Sequence, residues 1–182
     1  MSGDMEPLEK FVWKRDKFML AYTALGLLQI AVSGFHYNHM NICIAVSLGW
    51  LTMIAGIAVA SMGWQELKKM GQAPEGGSPL HTTNLVNTGI YSVIRHPQYF
   101  GFLMFIPALI LISQHWLSAI LGFSWGLLFY RDILKEEKRN MTKFGEEYGV
   151  YMEGVPGLNP MRGILKLLRV RDADRSKRVL II

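Results

Sequence analysis

The sequence predicts an all-α, polytopic integral membrane protein, and three observations carry that expectation. Half of the 182 residues are hydrophobic and only 18% are charged. All 19 Lys and Arg fall within residues 1–17, 64–98 or 131–182, while segments 18–63 and 99–130 hold no Lys, Arg, Asp or Glu. Each uncharged segment is divided by a short polar turn, at 36–41 and at 113–116. A soluble helix needs a polar face, so long uncharged apolar stretches belong in a bilayer. The length suits a single domain over residues 1–182.

Residues 1–17 mix charges with Phe11, Val12 and Trp13. They read as a short interfacial helix or arm with Trp13 at headgroup level. The opening Met-Ser-Gly-Asp-Met-Glu-Pro is acidic and polar, unlike a cleavable signal peptide, so the first apolar segment is expected to be retained. The first span covers about 17–35. His36, Tyr37, Asn38, His39 and Asn41 then make a polar turn. The second span covers about 42–64 and is punctuated by small residues, among them Gly49, Gly56, Ala60 and Gly63. Small residues let helix backbones approach closely in a membrane, so this span should pack tightly against another helix.

Gly71, Pro74, Gly76, Gly77 and Pro79 exclude regular structure over 71–80. Asn87-Thr88-Gly89 then offers N-cap chemistry for a short helix to Arg95. Pro97 disfavours helix at His96 and is preorganised to start the next one. The third span covers about 97–113 and the fourth about 116–130. The fourth continues as a charged helix through Arg131 and Glu136-Glu137 to about Phe144. Glycines and prolines break residues 145–160, and Ile164, Leu165, Leu167 and Leu168 alternate with Arg162, Lys166, Arg169 and Arg171. That pattern suits an amphipathic helix on an anionic surface.

Four spans put both termini on one side, and a different parse of one segment would give five. The turns at 36–41 and 113–116 carry no Lys or Arg. The positive-inside rule therefore places the termini, the 65–98 connection and the 131–182 tail in the cytoplasm of a multi-pass cell-membrane protein. A cytoplasmic cofactor-binding region is expected over about 80–101 and 131–160. The net charge of +5 is read as orientation and contact with membrane lipids, and no base-reading motif points to nucleic acid. Cys43, the one cysteine, lies in an apolar run and reads as a small core residue.

The densest chemistry lies in Leu85–Gly101, where Tyr91, Arg95, His96 and Tyr99 meet the start of an apolar segment. The backbone N–H groups of residues 97–100 would point back at the interface and, with the helix dipole, suit a carboxylate or phosphate. His96 and Tyr99 would add donors, unless they are interfacial anchors. A short connection makes the third and fourth spans antiparallel neighbours, which brings Arg131 and Glu136 near His96. Glu136 could accept from ribose hydroxyls or an ammonium, and Arg131 could pair with a substrate carboxylate. Lys135, Lys138 and Arg139 read as solvated or headgroup-facing charges. His36 and His39 share helical spacing without a third ligand, so no metal set is expected. Neither a phosphate-binding P-loop nor a nucleophile elbow occurs.

Arg95-His96-Pro97-Gln98-Tyr99-Phe100-Gly101, preceded by Leu85-Val86 and Gly89-Ile90-Tyr91, resembles the isoprenylcysteine carboxyl methyltransferase family. So does the later run Glu136-Glu137, Phe144-Gly145-Glu146-Glu147-Tyr148, Tyr151 and Val155-Pro156. The resemblance covers roughly residues 80–160. It implies S-adenosylmethionine as cofactor and methylation of a carboxylate on a prenylated cysteine. By matching motif positions, Leu85, Val86, Tyr91, His96, Pro97, Tyr99 and Glu136 would line the cofactor pocket. Arg131 is the candidate for the substrate carboxylate, although it aligns with the family arginine only after a one-residue shift. The family pattern has His-Thr before the Leu-Val pair, where this chain has Thr83-Asn84. The lipid-like substrate would enter from the bilayer. The competing readings are a nicotinamide-dependent reductase of a sterol or polyprenoid, a phospholipid N-methyltransferase, and a non-enzymatic membrane protein.

Overall fold

The computed structural model describes residues 6–72 and 82–179, with side chains over 19–72 and 82–169. The described residues form seven α-helices and one short 3-10 helix, with no β-strand among them. The helices are α1 (Glu6–Phe35), α2 (Cys43–Met70), α3 (Pro97–Leu103), α4 (Phe105–Ser113), α5 (Trp116–Phe144), α6 (Glu146–Gly154) and α7 (Pro160–Val179). The 3-10 helix is Gly89–Ser92. The expected placement of Trp13 concerns a side chain outside the described residues, and so does most of the 71–80 connection.

α2 and α5 are each long and apolar enough to cross a membrane, and shorter apolar helices cover Met19–Phe35 and Pro97–Ser113. α1 is one continuous helix where a separate arm before the first span was expected. α2 runs past Trp64 because Gln65-Glu66-Leu67-Lys68-Lys69 are good helix formers, and Lys68 and Lys69 suit its C-terminal dipole. The apolar stretch expected as one span over 97–113 is two helices, α3 and α4, with a turn at Met104. Pro107 is the physical reason. It has no N–H for the Leu103 carbonyl four residues back, and its ring crowds that carbonyl.

The chain forms two compact units. The first comprises Met1–Ile54 and Leu103–Leu134. Its interior joins apolar residues (Ala108, Leu109, Ile112, Trp125 and Phe129) to a buried polar set. Ser33 Oγ and Ser118 Oγ lie 2.8 Å apart, and the Gln29 amide donates to the Ile106 carbonyl at 3.3 Å. Small residues permit this packing. A Cβ at Gly122 would stand 2.6 Å from Gln29 Nε2, and one at Gly49 would stand 2.8 Å from the Ala108 carbonyl. Leu20, Leu27, Ile44, Leu51, Ile54 and Phe123 are exposed. Polar groups inside and large apolar groups outside invert the soluble pattern and fit a lipid-facing surface.

The two turns of this unit are sewn together. The Asn38 and His39 N–H groups donate to the Ile112 and Ser113 carbonyls at 2.9 and 3.1 Å. The Gln114 side chain donates to Asn38 Oδ1 and the Ile42 carbonyl and accepts the Ile42 N–H.

The second unit comprises Ala55–Phe102 and Lys135–Ile182. Here α3 packs on the small-residue face of α2, as the sequence led us to expect of that span. Cβ atoms at Gly101 and Gly63 would stand 2.5 Å from the Gly56 carbonyl and 2.8 Å from the Pro97 ring. α5 ends at Gly145, whose φ of 58° suits glycine, and its N–H closes on the Met141 carbonyl. α7 starts with Asn159 as N-cap, its side chain accepting the Arg162 N–H at 3.0 Å. Its first turn lies directly on residue 93, since a Cβ at Gly163 would collide with the Val93 carbonyl oxygen.

Candidate functional site

The second unit gathers most of the residues singled out in the sequence. Gly89, with φ of +54°, starts the 3-10 helix; its Cα faces the Glu66 carboxylate closely enough that a Cβ would stand 2.6 Å away. Thr88 Oγ1 donates to that carboxylate at 2.6 Å. Tyr91 is buried, and its carbonyl accepts the Tyr151 hydroxyl at 2.6 Å. The Arg95 and His96 N–H groups donate to the carbonyls of Pro156 and Gly157 at 3.0 and 3.3 Å. Residues 91–96 are thus held by α6 and the segment after it before Pro97 starts α3.

The side chains of 95 and 96 converge on one carboxylate. Glu137 Oε1 lies 2.6 Å from Arg95 Nη2 and 3.2 Å from His96 Nε2. The side chains are 10%, 4% and 19% exposed for Arg95, His96 and Glu137. The hydrogen bond from His96 holds the Glu137 carboxyl below its ordinary range; burial opposes this and the Arg95 charge assists it. An ionised carboxylate only accepts, so His96 Nε2 is the donor in this contact. Tyr99 presents its ring to His96 edge-on at 5.8 Å. Gly157 closes the cluster, since a Cβ there would stand 3.1 Å from Arg95 Nη2.

Burial raises the hydroxyl pKa of Tyr91, Tyr148 and Tyr151, with the Glu66 charge adding to the rise at Tyr91. All three stay neutral phenols. Among the described residues, Arg95 Nε and Gln98 Nε2 are two of the buried donors with no hydrogen-bond partner. Buried donors of this kind call for an acceptor, such as a carboxylate or a ribose hydroxyl. A nucleoside-bearing amino acid offers both, so this donor set fits such a ligand.

Of the residues named from sequence, Val86, Tyr91, His96 and Pro97 are buried, and Leu85, Tyr99 and Glu136 are half-buried. Glu136 pairs with Arg139 one turn along α5, and the carboxylate that meets His96 is its neighbour Glu137. Arg131 is exposed and belongs to the first unit. The expected row of free N–H groups over 97–100 needs correction. Pro97 has none, and the Phe100 N–H donates to the His96 carbonyl at 2.9 Å. Sequence reasoning placed Glu137, Tyr151 and Pro156 in the family pattern but assigned none of them to the site. Helical phase carries a signal for the first: Trp125, Phe129 and Ile133 are buried at spacings of four, and Glu137 is next on that face.

The sequence model described as phospholipid methyltransferase matches residues 44–147. The protein-S-isoprenylcysteine O-methyltransferase of Dictyostelium discoideum is 35% identical over 81 residues, covering 41% of this chain and 34% of that protein. The protein of the same name from Homo sapiens is 36% identical over 89 residues, covering 46% and 30%. The aligned stretch thus spans about a third of the length of either relative. No solved structure matches significantly.

Proposed function

We propose, because the chain belongs to the phospholipid methyltransferase family, that it is an S-adenosylmethionine-dependent methyltransferase of a carboxylate on a membrane-associated, prenylated-cysteine-like substrate. The observation that carries the reading is the buried His96–Glu137–Arg95 cluster at the start of α3, inside the matched region. The relatives' names support the carboxylate acceptor.

When bound, S-adenosylmethionine supplies a methyl carbon already made electrophilic by its sulfonium sulfur. Leu85, Val86, Tyr91, His96, Pro97, Tyr99 and Glu136 are the residues that would hold it. His96, oriented by Glu137, would turn its Nδ1 edge to the cofactor, while Gln98 and Arg95 would donate to its carboxylate or ribose. Arg131 is the sequence candidate for pairing with the substrate carboxylate through its planar fork. A carboxylate is ionised at neutral pH, so no strong general base is required. The chain's task is alignment and exclusion of water. Four spans, with the site and both termini on the cytoplasmic side, would let a lipid tail stay in the bilayer while its head meets the cofactor.

Methyl transfer to a phospholipid amine is a second reading, favoured by the description of the matched family. The test offers methyl-labelled S-adenosylmethionine with an isoprenylated cysteine analogue and, separately, with phosphatidylethanolamine vesicles. Label on the cysteine analogue is expected. Label on the amine alone would select the second reading, and label on neither would remove both.

A further inference from the structure

We propose that His36, His39 and His115 form a binding site for one divalent transition-metal ion of the zinc type. The three lie in the turns of the first unit, away from the residues discussed above in sequence. From sequence, the 36/39 pair has no third ligand; the structure brings His115 to it. One ligand atom from each residue lies within 4.8 Å of the others. His36 and His115 stack with ring centroids 3.7 Å apart, and His39 meets His115 at 5.0 Å and 77°.

This arrangement is built by the backbone. His36 and His39 follow α1 and His115 precedes α5, and five hydrogen bonds join their turns, three through the Gln114 side chain. Asn38, Asn41 and Gln114 each take a left-handed conformation, with φ of 52°, 59° and 55°. Such residues fix the direction in which the flanking side chains leave the turn. Tetrahedral zinc with Zn–N bonds of about 2.0–2.1 Å holds its nitrogens about 3.4 Å apart. Coordination requires the His36 and His115 rings to turn out of their stack so that their nitrogens converge on the ion.

Three imidazoles and no carboxylate select a borderline ion, zinc or copper and nickel, over calcium or magnesium. His39 is exposed and the other two are half-buried, so water can complete the fourth position. His115 Nδ1 accepts the Leu117 N–H at 3.2 Å. An ion at Nδ1 replaces that bond, and an ion at Nε2 shifts the ring proton to Nδ1 and gives it up. Binding therefore competes with that hydrogen bond and with the His36–His115 stack, and clamps two turns to each other.

The test uses the full chain in detergent, with any polyhistidine tag removed, and zinc alone as ligand. Calorimetry should give one ion per chain, zinc should raise the melting temperature by several degrees, and cobalt should give the visible absorption of a four-coordinate site. His39→Ala and His115→Ala should each weaken binding by about tenfold or more. His39 is exposed, so His39→Ala should keep the wild-type melting temperature in EDTA, separating lost ligation from lost folding. No saturable binding, or wild-type affinity in both variants, would overturn the proposal.

Discussion

His96 Nε2 lies 3.2 Å from the Glu137 carboxylate, and the same oxygen takes the Arg95 guanidinium at 2.6 Å. One carboxylate thus fixes the rings and forks of two consecutive residues just before α3 begins. Replacing it by an amide keeps an acceptor oxygen but leaves the largely buried guanidinium without its counter-charge. Glu137→Gln should destabilise the chain by roughly 1–3 kcal/mol. Glu136→Gln loses only a half-exposed i,i+3 pair with Arg139 and should change stability by less than about 0.5 kcal/mol. Thermal or denaturant unfolding of the two variants checks this, and equal effects would contradict it.

The same contact gives a pH dependence with a definite sign. The Glu137 carboxyl is held below its ordinary value of 4.5, chiefly by the hydrogen bond from His96. A group depressed on folding contributes stability that is present above its unfolded pKa and lost as pH falls through the folded value. Wild-type melting temperature should therefore fall more steeply below about pH 4.5 than that of Glu137→Gln. Parallel acid limbs would show that the carboxylate is not stabilised by folding.

Tyr151 ties α6 to the 3-10 helix through its hydroxyl, 2.6 Å from the Tyr91 carbonyl. Tyr151→Phe keeps the ring and leaves that buried carbonyl without its donor, which should cost about 1–2 kcal/mol. Unfolding measurements would detect it, and a neutral outcome would mean that another donor takes over.

Gly163 is required by contact and not by backbone freedom. A Cβ there collides with the Val93 carbonyl oxygen, and backbone cannot swing aside as a side chain can. Gly163→Ala should destabilise by about 1–3 kcal/mol and displace the start of α7, seen as faster proteolysis within that helix. Gly154→Ala, with open space around its Cα, should stay within about 1 kcal/mol of wild type.

Much of this was legible in the chain. Blocks without charge marked the apolar segments, and Trp116 to Phe144 was readable as one helix that leaves its apolar stretch and continues charged. The small residues of α2 foretold a close neighbour, and α3 is that neighbour through Gly101 and Pro97. Other features needed coordinates. Pro107 divides the stretch 97–113 because its missing N–H and its ring act on Leu103 four residues earlier, an effect that apolar composition conceals. Glu136 and Glu137 are adjacent and chemically identical; the apolar phase of Trp125, Phe129 and Ile133 points to Glu137, but its meeting with His96 is seen only in three dimensions. The approach of His115 to His36 and His39 depends on turn-to-turn hydrogen bonds between residues more than 70 positions apart, such as Gln114 to Asn38, and no local pattern encodes them.

The central proposal, that the region around His96 holds S-adenosylmethionine, is tested most directly by calorimetry of the purified chain with S-adenosylhomocysteine. Wild type should bind one molecule saturably. His96→Ala should bind about tenfold or more weakly, about 1.4 kcal/mol, while its unfolding transition shows that the chain still folds. Absence of binding to folded wild type, or unchanged affinity in His96→Ala, would contradict the account.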